Sequence, residues 1–253
     1  MPKTIVAANW KLNNTIEESL MLVAGLTAHI KPLPNVEVVL APPYTALYSV
    51  GVAVADTTLK LSGQNIYWED KGAFTGEISG PLLKDIGCDY VLIGHSERRK
   101  YFGESNETVN KRILAALRSE LIPIVCVGET LEEREAGKTF EILEKQIKGA
   151  LAGLQQKDLE RFVVAYEPVW AIGTGKNATP GQAEEAHHFI RNCIAKLYDA
   201  PTANEISILY GGSVKASNCG EIFNQKNVDG VLVGGASLDA KGFSDIAAQA
   251  HKE

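Results

Sequence analysis

Short apolar runs rich in β-branched residues recur along the whole 253-residue chain. They are Ile5–Ala8, Val36–Ala41, Leu59–Gly63, Tyr90–Ile93, Ile122–Val127, Phe162–Tyr166, Ile206–Tyr210 and Val228–Val233. Most are nearly continuous in apolar character rather than alternating, which is how parallel strands read when both faces are buried. Helical patterns fill most of the gaps. Thr15-Ile-Glu-Glu18 is a capping box, and the residues after it to Ile30 keep helical spacing. Thr130-Leu-Glu-Glu133 is a second box, predicting a charged helix through about Leu151. Thr179-Pro-Gly-Gln182 is a third, with proline at the first helical position. The face of that helix predicted to be buried is Ala183, Ala186, Phe189, Ile190, Cys193 and Leu197. Pro81 to Ile86, Val109 to Leu117 and a weakly marked Tyr44–Val50 complete the pattern.

Strand and helix therefore alternate eight times, with no linker, composition break or low-complexity segment. Alternation predicts a parallel sheet with helical crossovers. Eight units in this length fit one closed (β/α)8 barrel spanning residues 1–253, with eight parallel strands inside and helices outside. A doubly wound open sheet is the competitor. The residues after the strands decide between them: Asn9-Trp10-Lys11, Gln64-Asn65, Gly94-His95-Ser96-Glu97, Gly128-Glu129, Glu167-Pro168, Gly211-Gly212-Ser213 and Gly234-Gly235. Polar, ionisable and glycine residues gather at the C-terminal ends of seven strands. A barrel brings those ends to one face, whereas an open sheet spreads them along a line.

Two of these ends suit a phosphate. Paired glycines let backbone N–H groups close on an anion, and a short helix opening there points its positive end at it. One such pair alone reads as a tight turn; two pairs after the last two strands point to a site. Gly173-Thr-Gly175-Lys-Asn-Ala178 matches the dinucleotide pattern G-x-G-x-x-A, but it neither follows a strand directly nor opens a helix. A P-loop would also need glycine where Trp170 stands. The segment reads instead as a lid hinged at Pro168 and at Gly173, Thr174, Gly175 and Lys176, with an apolar tip of Val169, Trp170, Ala171 and Ile172. The competing reading is a loop packed permanently on the barrel.

Glu167, His95 and Lys11 each have an ordinary reading: an ion-paired surface carboxylate, a hydrogen-bonded turn histidine, a solvated boundary lysine. Together on one face they supply a base, a polarising imidazole and a cation for an enediolate. Composition narrows the partner. The chain is 45% hydrophobic and 22% charged with a formal net charge of −6, a poor match to nucleic acid. A local pocket can still be positive and take a small anion. No apolar run approaches membrane-spanning length, and no signal peptide is expected. Cys88, Cys126, Cys193 and Cys219 form no C-x-x-C pair and read as reduced, mostly buried thiols of a cytoplasmic protein. No residue cluster has metal-ligand spacing, so no metal is expected and the cation would have to come from the protein. Sequons beginning at Asn13, Asn106 and Asn177 read as chance occurrences.

Five segments carry a family resemblance: Ala8-Asn-Trp-Lys-Leu-Asn13, Gly94-His-Ser-Glu-Arg-Arg99, Tyr166-Glu-Pro-Val-Trp-Ala-Ile-Gly-Thr-Gly175, Tyr210-Gly-Gly-Ser-Val214 and Val233-Gly-Gly-Ala-Ser-Leu238. In order and spacing they resemble triosephosphate isomerases over essentially the whole chain. The resemblance implies a TIM barrel and a cofactor-free isomerase of glycolysis and gluconeogenesis. It interconverts dihydroxyacetone phosphate and D-glyceraldehyde 3-phosphate through an enediol(ate), with Glu167 as base and neutral His95 as proton shuttle. Lys11 and Asn9 meet the oxygens, Glu97 supports Lys11, and backbone at Gly173, Ser213, Gly234 and Gly235 holds the phosphate. The resemblance also implies a homodimer through the 64–77 loop, where Phe74, Thr75 and Gly76 meet the neighbour. That loop is long and aromatic, although its rings could instead fold back on their own barrel. Asn14 departs from the glycine of some relatives, without touching a catalytic role. Two other functions compete: a Schiff-base aldolase using Lys11, and a silent phosphate-ligand or adhesion barrel.

Overall fold

A computed structural model describes residues 2–172 and 178–250. Eight parallel strands close in sequence order, β1 against β2 and so on until β8 pairs with β1. They are β1 (Thr4–Asn9), β2 (Val36–Ala41), β3 (Lys60–Gly63), β4 (Tyr90–Ile93), β5 (Ile122–Val127), β6 (Val163–Tyr166), β7 (Ser207–Tyr210) and β8 (Gly230–Val233). Closure excludes the open sheet, and every predicted strand lies within two residues of its predicted bounds.

The continuous apolar character of the strands has a direct cause. Alternate residues serve two cores. Ile5, Ala7, Val39, Ala41, Tyr90, Leu92, Ile124, Cys126, Val163, Ala165, Leu209 and Leu232 form one buried cluster, the filled barrel interior. Val6, Ala8, Val38, Leu40, Val91, Val125, Val164, Ile208 and Val231 turn outward and pack under the helices. Burying a Val, Leu or Ile side chain is worth about 1.5–3 kcal/mol, so both layers favour the same register.

The three capping boxes form as predicted. Thr15 opens the helix Ile16–His29, Thr130 opens Leu131–Glu135 and Thr179 opens Pro180–Leu197. The second helix is shorter than predicted. It stops at Glu135, and a separate helix runs Thr139–Ala150, because Gly137 takes a left-handed φ of 69° between them. In the third, Leu197 is exposed, while His187, Arg191 and Ile194 join the buried face. The Arg191 guanidinium accounts for the shift: it reaches down to the Asp229 carboxylate at 2.6 Å and to Asn227 at 3.0 Å. β8 begins at Gly230 rather than Val228. A Cβ at Gly230 would stand 2.0 Å from the Ile5 carbonyl oxygen, so close approach to β1 requires glycine there. No helix of the described residues is long and apolar enough to cross a membrane.

Candidate active site

The inward parity of the strands carries past their ends and sets the site. Ile5 and Ala7 point inward, and so next do Asn9 and Lys11; Val163 and Ala165 are followed by Glu167. On β5, β7 and β8 the same parity brings Gly128, Gly211 and Gly234. β4 is different. His95 is out of step with Tyr90 and Leu92, and Gly94 makes the correction with a φ of 71°. A side chain at Gly94 would also strike Val109.

Asn9, Lys11, His95, Glu167, Ile172, Ser213, Gly234 and Gly235 line one cavity of about 390 Å³ at the C-terminal mouth. Gly211, Gly212, Val214, Lys215, Leu232 and Ala236 complete its wall. Leu232 follows from inward parity on β8; Val214, Lys215 and Ala236 carry no sequence signal of their own. The chain turns into a short helix, Gly235–Leu238, at the predicted anion position. Gly212 is required there, since a Cβ would lie 2.1 Å from the Tyr210 hydroxyl oxygen.

Within the cavity the charged groups are interlocked. His95 Nε2 stands 2.9 Å from Glu167 Oε1, and the Ser96 N–H donates to Glu167 Oε2 at 2.9 Å. His95 caps the helix Ser96–Phe102, and its Nδ1 accepts the Glu97 N–H at 3.2 Å. That contact places the ring proton on Nε2, facing Glu167. The Lys11 ammonium pairs with Glu97 Oε1 at 2.6 Å, and the Lys11 stem passes over Gly234. Glu97 is half-exposed and lies outside the cavity lining.

Burial opposes charge on Glu167, but His95, the Ser96 N–H and Lys11 outweigh it and hold the carboxyl below the ordinary glutamate value. Burial likewise opposes the imidazolium, while Glu167 and Glu97 pull His95 above the ordinary histidine value. Geometry pulls the other way, because a protonated Nδ1 would face the Glu97 N–H as a second donor. The pull of Glu167 on the ring acts at the 2.9 Å separation of Nε2 and Oε1.

The family model described as triosephosphate isomerase matches residues 4–250. The chain belongs to the triosephosphate isomerase family. A triosephosphate isomerase of Moorella thermoacetica is 53% identical over 249 residues, covering 97% of this chain and 98% of the relative. That of Geotalea uraniireducens is 51% identical over 246 residues, with 97% and 98% covered. That of Endomicrobium trichonymphae is 48% identical over 246 residues, again with 97% and 98% covered.

Two loops expected in a triosephosphate isomerase lie partly or wholly off the cavity. Of the lid, Gly173, Thr174, Gly175 and Lys176 lie outside the described residues. Val169–Ala171 forms a single helical turn after Pro168, with Trp170 and Ala171 buried. Val169 and Trp170 line a second cavity of about 540 Å³ on the other side of Glu167. The turn is anchored by a residue given no role from sequence. Glu129, fully buried, accepts the Trp170 Nε1–H at 2.9 Å and the Tyr166 hydroxyl at 3.2 Å, and pairs with Arg134 at 3.1 Å. In the 64–77 loop Tyr67 stacks on Trp68 at 4.2 Å and meets Phe74 at 4.8 Å. Phe74, Thr75 and Gly76 are exposed at its tip, away from this chain's own cavity.

Proposed function

We propose that this chain interconverts dihydroxyacetone phosphate and D-glyceraldehyde 3-phosphate by acid–base chemistry of its own side chains, a step of glycolysis and gluconeogenesis. One observation carries the reading: Glu167, His95 and Lys11 line the same cavity as the glycine loops after β7 and β8. Glu167 takes a proton from the carbon beside the carbonyl, and the freed electron pair forms the carbon–carbon double bond of an enediolate. The His95 Nε2–H hydrogen-bonds and protonates the carbonyl oxygen, then takes a proton from the neighbouring hydroxyl. Glu167 then delivers its proton to the former carbonyl carbon while the deprotonated neighbouring oxygen becomes the new carbonyl, so nothing is gained or lost overall.

Lys11 and Asn9 stabilise the oxygens as charge develops on them, and Glu97 orients Lys11. Backbone N–H groups at Gly173, Ser213, Gly234 and Gly235 take the phosphate. Residues 168–176 close as the lid that excludes water. No cofactor or metal takes part. The whole chain acts as one barrel domain, cytoplasmic, and pairs into a homodimer through the 64–77 loop, with Thr75 reaching the neighbour's site.

A coupled assay in both directions, with chelator and no added cofactor, tests the reading. Turnover is expected; none from folded protein overturns it. The aldolase alternative wants Lys11 desolvated and free to condense, whereas its ammonium is paired with Glu97. Borohydride with substrate is therefore expected to leave the protein mass unchanged.

A further inference from the structure

Lys11 has a φ of 54°, the left-handed conformation that costs free energy for any residue other than glycine. Both ends of this residue are gripped by side chains. Its N–H donates to Asn9 Oδ1 at 3.0 Å. Its carbonyl oxygen accepts from Gln64 Nε2 at 2.9 Å, and the same Nε2 donates to the Ala41 carbonyl at 2.9 Å. Since Gln64 meets carbonyl oxygens on this side, the NH₂ end must face them, and both of its protons are used. The Ala41 oxygen also accepts the Trp10 N–H at 3.1 Å. One amide thus fastens the chain just beyond β1 to the end of β2 from a position just beyond β3.

We propose that Gln64 is a positioning residue for Lys11, holding its backbone in the left-handed conformation that sends the ammonium to Glu97 and over Gly234. The inference rests on the proposed role of Lys11 at the substrate anion. Relaxed from φ 54°, the residue would leave β1 on a different course and carry its side chain away from the cavity. Neither Asn9 nor Glu97 can replace the grip, since both lack a donor directed at the Lys11 carbonyl.

The experiment is a double-mutant cycle on kcat and KM with Gln64→Met and Lys11→Met, at matched oligomeric mass in sedimentation. Gln64→Met is expected to lower kcat/KM by about 10- to 100-fold, with KM raised. A loss of folded protein alone would lower apparent kcat and leave KM unmoved. In the Lys11→Met background the same substitution is expected to change kcat/KM less than about twofold, the signature of two residues acting as one. Equal losses in both backgrounds, or an unchanged KM in folded Gln64→Met, overturn the proposal. Parental kcat/KM in Lys11→Met alone would instead remove the role of Lys11. If Gln64→Met does not fold, Gln64→Asn, one carbon shorter, takes its place in the cycle, and the same outcomes support or overturn the proposal.

Discussion

The two oxygens of Glu167 are each held at 2.9 Å, one by His95 Nε2 and the other by the Ser96 N–H. A carboxylate so engaged is parked. As the proposed base it would have to exchange both partners for the ligand, and Ile172, the last described residue before the proposed lid's far hinge, lines the space it would enter. Glu167→Gln keeps the shape and can still pair with one of these groups, but it cannot accept the carbon-bound proton. Its kcat is expected to fall by about 10³-fold or more, with KM changed only a few-fold. Steady-state kinetics check this, and a near-parental kcat would take Glu167 out of its role.

The same pairing gives a pH signature in stability. Glu167 titrates below the ordinary glutamate value in the folded chain, so folding releases protons from this group in the acid range. Its contribution to stability is complete above the unfolded value of about 4.5 and is lost as pH falls through the lower folded value. Urea unfolding of the parent and of Glu167→Gln should therefore differ by an amount that shrinks as pH is lowered from about 6 to below 4. A gap independent of pH would mean that the carboxylate gains nothing from His95 and Ser96.

Much of the site was legible because strand parity is a local rule. Asn9, Lys11, Glu167 and Gly234 all fall on the inward beat of their strands, and the apolar runs announce those strands. His95 breaks that beat and was legible only through the neighbouring glycine and the family segment. Glu129 and Gln64 were not legible as functional. Each sits at a strand end like the others, but its role is defined by groups far along the chain, Trp170 for one and Lys11 for the other. The split near Gly137 was hidden for a different reason: a capping box marks where a helix starts, and the periodicity resumes after the break. Arg191 was missed on the buried face because its long charged side chain finds Asp229 only in the folded barrel.

Trp170 is tied to a carboxylate with no exposure to water, so its indole N–H contact should count as a charge-assisted hydrogen bond. Trp170→Phe keeps most of the apolar contact and removes that donor. A loss of about 1.5–3 kcal/mol is expected in urea unfolding. Glu129 keeps Tyr166 and Arg134 as partners, which sets the loss toward the lower end. A change below about 0.5 kcal/mol would place the hydrogen bond outside the stable fold.

Leu12 is almost fully exposed, at 96%, and Phe74, Leu82, Tyr101 and Phe102 are also open to solvent. Lone exposed apolar side chains are normal, but Phe74 stands at the tip of the aromatic 64–77 loop. The proposed homodimer through this loop is expected to cover Phe74. Sedimentation at micromolar concentration should give twice the chain mass, and Phe74→Asp should shift it toward the monomer. A monomer mass for the parent chain would overturn the homodimer.

The glycines at the mouth differ in what they tolerate, and the difference separates packing from anion binding. A Cβ on Gly211 would lie 2.9 Å from Glu167 Cγ and 3.2 Å from the Tyr166 carbonyl oxygen, so the neighbours must give way. Gly211→Ala is expected to cost about 1–3 kcal/mol and to lower kcat by displacing the base. A Cβ on Gly235 would meet nothing within 4 Å. Gly235→Ala keeps the backbone N–H and should leave stability within about 0.5 kcal/mol of the parent. If the backbone there binds the phosphate, Gly235→Ala keeps kcat and shows at most a modest rise in KM. Gly235→Pro, which removes the N–H, raises KM far more. Equal KM values for the alanine and proline variants, both folded, would rule out the Gly235 N–H as a phosphate donor.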